Sequence, residues 1–185
     1  EYVLKNISFK ANKGDTVAFI GSTGSGTSTL VNLIVRFYDV TDGKILIDGV
    51  NIKDYKLEYL YKLIGYVPQR AVLFNGTVNS NISYGEAMEK ISDKKIVEAS
   101  KVAQADEFIS KMDDGYESHI AQGGTNISGG QKQRIAISRA IAKNPEIYIF
   151  DDSFSALDYK TDAVLRSELK KYTKKDKDLV DIMFM

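Results

Sequence analysis

Residues 17–29 read VAFIGSTGSGTST. Val17, Ala18, Phe19 and Ile20 form a short apolar run without polar alternation, the pattern of a strand covered on both faces. Three glycines follow, Gly21, Gly24 and Gly26. Glycine takes backbone angles closed to other residues, so successive N–H groups can converge on one anion. Residues 28–38, STLVNLIVRFY, carry apolar residues at helical spacing, so the loop empties into a helix N-terminus. Such an end has free N–H donors and a positive dipole, both suited to phosphate. The fixed positions of the phosphate loop GxxxxGK[ST] are met except one: Thr27 stands where lysine is expected. A dinucleotide-type GxGxxG does not fit, because the glycines fall in another order. Loss of the lysine removes a charge-assisted hydrogen bond worth roughly 1.5–3 kcal/mol. Binding would weaken by about ten- to a hundredfold without being abolished.

Working outward, residues 2–9 read as a strand with Leu4, Ile7 and Phe9 as apolar members, and the turn residues 12–15, NKGD, lead into the loop strand. Downstream, TDG at 41–43 turns into KILID at 44–48, and Asp48-Gly49 turns again, which suggests an antiparallel pair. Residues 57–63 suit a short helix and 64–68 a strand ending at Gln69. Residues 77–118 change character: Ser92 can cap a helix over 92–103, a second helix suits 105–112, and there is almost no strand signal between Phe74 and Ser128. The stretch 126–131, NISGGQ, then opens the strongest helix in the chain, 131–143, with Ser128 as cap and two glycines leaving amides bare. Asn144-Pro145 ends it. Residues 146–150, EIYIF, form a buried-type strand running into Asp151-Asp152. Carboxylates at the C-terminal end of a parallel strand sit where such sheets place ligands; beside a phosphate loop, Asp151 suits Mg²⁺ together with the hydroxyl of Ser28. A further helix is expected over 162–171, a solvated basic helix end at Lys170, Lys171, Lys174, Lys175 and Lys177, and a last strand over 179–185.

Composition narrows the class. With 43% hydrophobic residues in 185, the chain can bury a core. Lys+Arg and Asp+Glu are both 25, so no global charge points to nucleic acid. Cysteine is absent, which excludes disulfides and thiolate-held metal. No apolar run approaches the ~18–20 residues of a membrane span, and EYVLKN is no signal peptide.

In this order, and over nearly the whole chain, these stretches resemble the ATP-binding domain of ABC transporters, most closely of multidrug-type exporters. Residues 21–29 match the Walker A loop except at Thr27, Gln69 the Q-loop glutamine, 127–131 (ISGGQ) the signature LSGGQ, 147–151 the Walker B strand, and 155–158 (SALD) the D-loop. The resemblance implies a P-loop, RecA-like α/β core over 1–73 and 129–185, with a small antiparallel β part and a helical subdomain over 74–128. ATP and Mg²⁺ are the implied ligands. Ser22, Thr23, Gly24, Ser25, Gly26, Thr27, Ser28 and Thr29 would hold nucleotide; Ser28, Gln69 and Asp151 the metal; Gln69 and Asp152 would serve hydrolysis. In the family two such domains face each other head to tail, so Ser128, Gly129, Gly130 and Gln131 would act on a partner's ATP.

Three departures fall on the chain's own site. Besides Thr27, Asp152 stands where the family carries its hydrolytic glutamate, one methylene shorter, roughly 1.5 Å. The switch histidine is expected after the last strand, and none stands there before Met185; His119 precedes the signature and reads as a surface residue. The resemblance therefore implies the degenerate half of a heterodimeric exporter, with a transmembrane domain as further partner, no nucleic acid, and a place at the cytoplasmic membrane face. Two rival readings are an ATP-gated module that never cleaves nucleotide and an ABC-type ATPase without a membrane part.

Overall fold

The protein is described from a computed structural model, over residues 3–22, 24–85, 90–175 and 179–184. Its elements in order are β1 (Thr16–Phe19), α1 (Thr27–Ile34), β2 (Leu46–Ile47), β3 (Val50–Asn51), α2 (Leu57–Leu63), β4 (Ile64–Val67), β5 (Gly76–Thr77), α3 (Val78–Ile82), α4 (Asp93–Val102), α5 (Asp106–Ile109), β6 (His119–Ile120), α6 (Gly129–Ala142), β7 (Ile147–Asp151), α7 (Tyr159–Lys175) and β8 (Val180–Phe184). The main sheet has the order β1-β8-β7-β4, and every pairing in it is parallel. All four strands therefore end on one edge.

Alternation along β7 shows how the sheet is covered. Ile149 packs with Val31, Ile34, Leu60 and Ile182 on the side of α1 and α2. Tyr148 and Phe150 face the opposite core, built from Ile137, Ile141, Leu165 and Leu169 of α6 and α7. That second core runs on through Val78, Ile82, Ile96 and Ile109, so α6 packs against both the sheet and the helices of the middle segment. Fully burying such an aliphatic side chain stabilises by about 1.5–3 kcal/mol, and α6 buries Ile135, Ile137 and Ile141 at 1% exposure or less.

Three expectations are corrected. β1 is an edge strand, with Thr16 and Ala18 exposed and Ile20 83% exposed. Only its α1 side is covered, where Phe19 joins the core; the α6 and α7 layer does not extend over it. Residues 3–9 form no strand: Asn6 takes φ 55°, and Val3, Ile7 and Phe9 stay exposed without a partner strand, although Phe9 sets its ring edge-on to Phe19 at 4.9 Å. Tyr2 of that expected strand lies outside the described residues. Between Phe74 and Ser128 a two-residue antiparallel pair does exist, Gly76 with Ile120 and Thr77 with His119; two residues per strand are too few to show a period in sequence.

The remaining elements occur where expected, although α1 ends at Ile34, α5 covers only Asp106–Ile109 and β2 only Leu46–Ile47. The β2–β3 hairpin turns on Asp48 (φ 49°) and Gly49 (φ 80°), the left-handed pair of a type I′ turn. Ser92 takes the N-cap position of α4, without a side-chain cap bond. Lys170, Lys171 and Lys174 are exposed along α7, and Lys177 lies outside the described residues. His119 is exposed and its ring contacts Asn75 Oδ1 at 3.0 Å.

Candidate functional site

The site is built from what the parallel strands deliver to their common carboxyl edge. From β1 the chain passes into residues 20–26, where Ser25 N–H donates to Ser22 O at 2.9 Å and closes a tight turn. Gly24 (φ 85°) and Gly26 (φ 94°) are both left-handed, a region that side chains rarely adopt. A Cβ on Gly21 would lie 2.2 Å from Ser25 Oγ and 3.1 Å from Thr27 Cγ2. The loop is thus folded in on itself: the left-handed angles at Gly24 and Gly26 favour glycine, and a side chain at Gly21 would have to push the Ser25 hydroxyl aside. Gly26 is the N-cap of α1, which has no side-chain cap and no acidic residue in its first turn. Its first-turn amides have no side-chain acceptor, an arrangement that suits an anion. Leu4 reaches over this turn, its Cδ2 lying 2.7 Å from where a Gly26 Cβ would be. Thr27 and Thr29 are half-buried, and Ser22, Gly24, Ser25 and Ser28 are exposed; Thr23 lies outside the described residues.

From β7 comes Asp151 as the last strand residue, followed by Asp152 in the left-handed region at φ 43°. That turn is pinned: buried Ser153 donates its hydroxyl to Val67 O at 2.8 Å, and Ser155 Oγ donates to Asp152 O at 2.9 Å. Neighbouring β4 delivers Gln69, whose Nε2 donates to Asp152 Oδ2 at 2.8 Å. Sequence reading proposed both residues for one site, and the adjacency of β4 and β7 brings them together. It also assigned Gln69 to the metal, whereas here its amide nitrogen faces a carboxylate.

Tyr66, which sequence reading missed, is also supplied by β4. Its hydroxyl donates to Asp151 Oδ2 at 3.4 Å. Burial, then the charge of Asp151, pushes the Tyr66 phenol up to about 12. Burial raises the Asp151 carboxyl above its ordinary value; the Tyr66 hydrogen bond opposes this and the neighbouring Asp152 adds to it. No single-residue signal in GYVPQ announces this contact, because it depends on strand register, Tyr66 lying opposite Ile149.

A triphosphate fits the residues present: the glycine cradle and the uncapped α1 end supply N–H donors. Among the described residues no cluster of three His, Cys, Asp or Glu could hold a metal by itself. Ser28 and Asp151 are hard oxygen donors of the kind that bind Mg²⁺ jointly with phosphate oxygens.

The third part is the start of α6. Ser128 Oγ accepts from Gln131 N–H at 3.3 Å, while Gln131 Oε1 accepts from Ser128 N–H at 2.9 Å, a reciprocal capping box. The S-x-x-Q spacing carried that signal. A Cβ on Gly130 would sit 3.3 Å from Ala156 O in the 155–158 loop, whereas nothing lies within 4 Å of one on Gly129. Ser128 and Gly129 are exposed. Behind them Arg134 donates to Gly130 O at 3.3 Å and to Gln104 O at 2.7 Å, with its guanidinium over the Phe108 ring at 4.7 Å. Arg134 ties the opening of α6 to the α4–α5 helices, and burial lowers its pKa.

An uncharacterised ABC transporter ATP-binding protein of Mycobacterium tuberculosis strain H37Rv is 50% identical over 169 residues, 91% of this chain and 29% of its own. The ATP-dependent lipid A-core flippase of Haemophilus influenzae strain Rd is 45% identical over 182 residues, 98% of this chain and 31% of its own. Among solved structures, a bacterial Atm1-family ABC exporter with ATP bound superposes with a TM-score of 0.91 at 37% identity, over 98% of this chain and 31% of that one. The chain therefore spans less than a third of the length of these relatives. The family described as ABC transporter matches residues 4–155, most of the chain, so the chain belongs to the ABC transporter family.

Proposed function

We propose that this chain is the ATP-binding domain of an exporter, that its own site holds MgATP weakly and turns it over slowly or not at all, and that it offers its signature to a second ATP-binding domain. The observation that carries this reading is asymmetric alteration. Thr27 replaces the phosphate-loop lysine, and Asp152, short for the task, has a carboxylate oxygen engaged by Gln69 at 2.8 Å. The signature, by contrast, has a complete capping box and an exposed face.

The cradle amides and the α1 N-terminus bind and orient the phosphates. Ser28 and Asp151 would hold Mg²⁺, which when bound neutralises charge on the β- and γ-phosphate oxygens. Tyr66 holds the Asp151 carboxylate toward the site edge. A general base must lie within about 2.6–3.2 Å of the water proton that it takes, and Asp152 falls short of the glutamate position by one methylene. The Gly130 to Ala156 approach couples the signature to the 155–158 loop. In the proposed assembly this face meets a partner of different sequence, while a transmembrane domain of the same exporter is reached from the cytoplasmic membrane face. Among the described residues no helix is long and apolar enough to cross a membrane.

The test is calorimetric titration with MgATP followed by turnover measurement, alone and with a full-motif ATP-binding domain, on the parent chain and Asp152→Glu. Weak binding, negligible turnover alone and a gain with glutamate are expected. Turnover by the parent at the rate of a full-motif domain would refute the impaired site, and no nucleotide uptake at saturation would refute nucleotide binding. Binding without any gain from Asp152→Glu would favour a module that closes on ATP without cleaving it.

A further inference from the structure

The segment carrying Gln69 is gripped from behind by α6. Gln133, 2% exposed on that helix, donates Nε2 to Pro68 O at 3.0 Å. Pro68 is the residue immediately before Gln69. Six residues further along α6, Arg139 donates to Val72 O at 3.0 Å and to Asn81 O at 2.7 Å. Asn81 in turn accepts from Phe74 N–H at 2.8 Å and donates to Phe74 O at 2.9 Å. The stacked Phe74 and Tyr84 rings lie 4.1 Å apart, and the Arg139 guanidinium sits 5.6 and 5.5 Å from their centroids. Residues 68 and 72, on either side of Gln69, are therefore both bonded to one helix.

That helix begins at the signature. Gln133 lies five residues past Ser128, about 7.5 Å along the axis at 1.5 Å per residue. A helix closed at its N-terminus by a capping box and buried along its length moves as a rod. The path from Asp152 through Gln69 and Pro68 to Gln133 crosses two side-chain hydrogen bonds, both made by glutamine amides and both between elements far apart in sequence.

We propose that Gln133 is a positioning residue for Gln69, and that its buried amide passes the state of this chain's own nucleotide site to the signature that it offers a partner. This rests on the proposed function above. Gln133 touches neither nucleotide nor Asp152; it sets where Gln69 stands by holding the carbonyl before it. Without that bond the segment is held to α6 only at Val72, three residues past Gln69, so Gln69 can follow its ligand with less movement of α6.

Hydrogen–deuterium exchange of the 185-residue chain, with and without MgATP at saturation checked by calorimetry, tests this. Nucleotide should change exchange at residues 68–73 and at 129–131 together. In Gln133→Met, which keeps the volume and loses the donor, the response at 129–131 should fall about two- to tenfold, the range for one lost neutral hydrogen bond, while that at 68–73 persists. Gln133→Glu, which keeps the shape and replaces the donor by an acceptor at neutral pH, serves as the second variant. A parental response at 129–131 in both variants overturns the proposal, including when they merely exchange faster throughout α6. So does a parent chain in which 68–73 responds and 129–131 is silent. Failure of calorimetry to detect binding overturns the nucleotide reading and the coupling with it, and is recognised before any exchange is measured.

Discussion

Replacing Thr27 by lysine should make the free protein slightly less stable and its MgATP complex much tighter. Thr27 is the first residue of α1, directly after the Gly26 cap, and no acidic side chain lies in that turn. A cation there faces the positive end of the helix dipole, at a cost of about 0.3–1 kcal/mol in the unliganded chain. For a domain of this length, that corresponds to a melting temperature lower by roughly 1–4 °C. With a triphosphate in the cradle the sign reverses. The ammonium gains a charge-assisted hydrogen bond of about 1.5–3 kcal/mol, so the dissociation constant should drop about ten- to a hundredfold. The half-buried position of Thr27 leaves the longer side chain room to leave the helix and reach over the loop. Calorimetric or fluorescent-nucleotide titration reads the affinity, and thermal melting without ligand reads the cost. An affinity unchanged within twofold would refute the assignment of this loop to the β/γ-phosphate end. A higher melting temperature without ligand would refute the view that the α1 terminus stands uncompensated.

Gly21→Ala should reduce the thermal shift produced by MgATP while leaving far-UV circular dichroism unchanged, since the new Cβ would displace the Ser25 hydroxyl and press on Ser25 Cβ and Thr27 Cγ2, each 3.1 Å away; an undiminished shift would show that the folded-in loop is not the cradle. Ser128→Ala removes the acceptor for Gln131 N–H and should cost about 1 kcal/mol, a fall of roughly 2–4 °C in melting temperature, with no fall at all counting against the capping box. For Asp151 the folded carboxyl titrates above its ordinary 3.8 because of burial first and Asp152 last. The folded chain thus binds that proton more tightly than the unfolded one, and stability is lost as pH rises from 3.8 through the raised value and stays lost above it. Asp151→Asn should therefore melt higher than the parent at pH 7, with the gap shrinking as pH falls toward 3.8; a gap independent of pH would show that the carboxylate is not strained by its setting.

Whatever depends on residues near in sequence was legible in the chain itself. The 57–63 helix, the strand ending before Gln69, the strand ending in Asp151, the Asp48-Gly49 turn and the Ser128 cap rest on periodicity, turn chemistry or spacing within a few residues. The glycine cradle belongs here too, because it is a matter of local backbone angles. What only the tertiary structure decided is which elements lie side by side. β8 inserts between β1 and β7, leaving β1 at the edge with one face bare, although its apolar run reads as a covered strand. Residues 3–9 have strand composition yet pair with no strand, and Asn6 turns the backbone out of the extended region at φ 55°. Gln69 meets Asp152 across 83 positions and Gln133 meets Pro68 across 65; side-chain spacing along a chain carries no trace of such pairs, because they are created by strand order and helix packing after the local pieces exist.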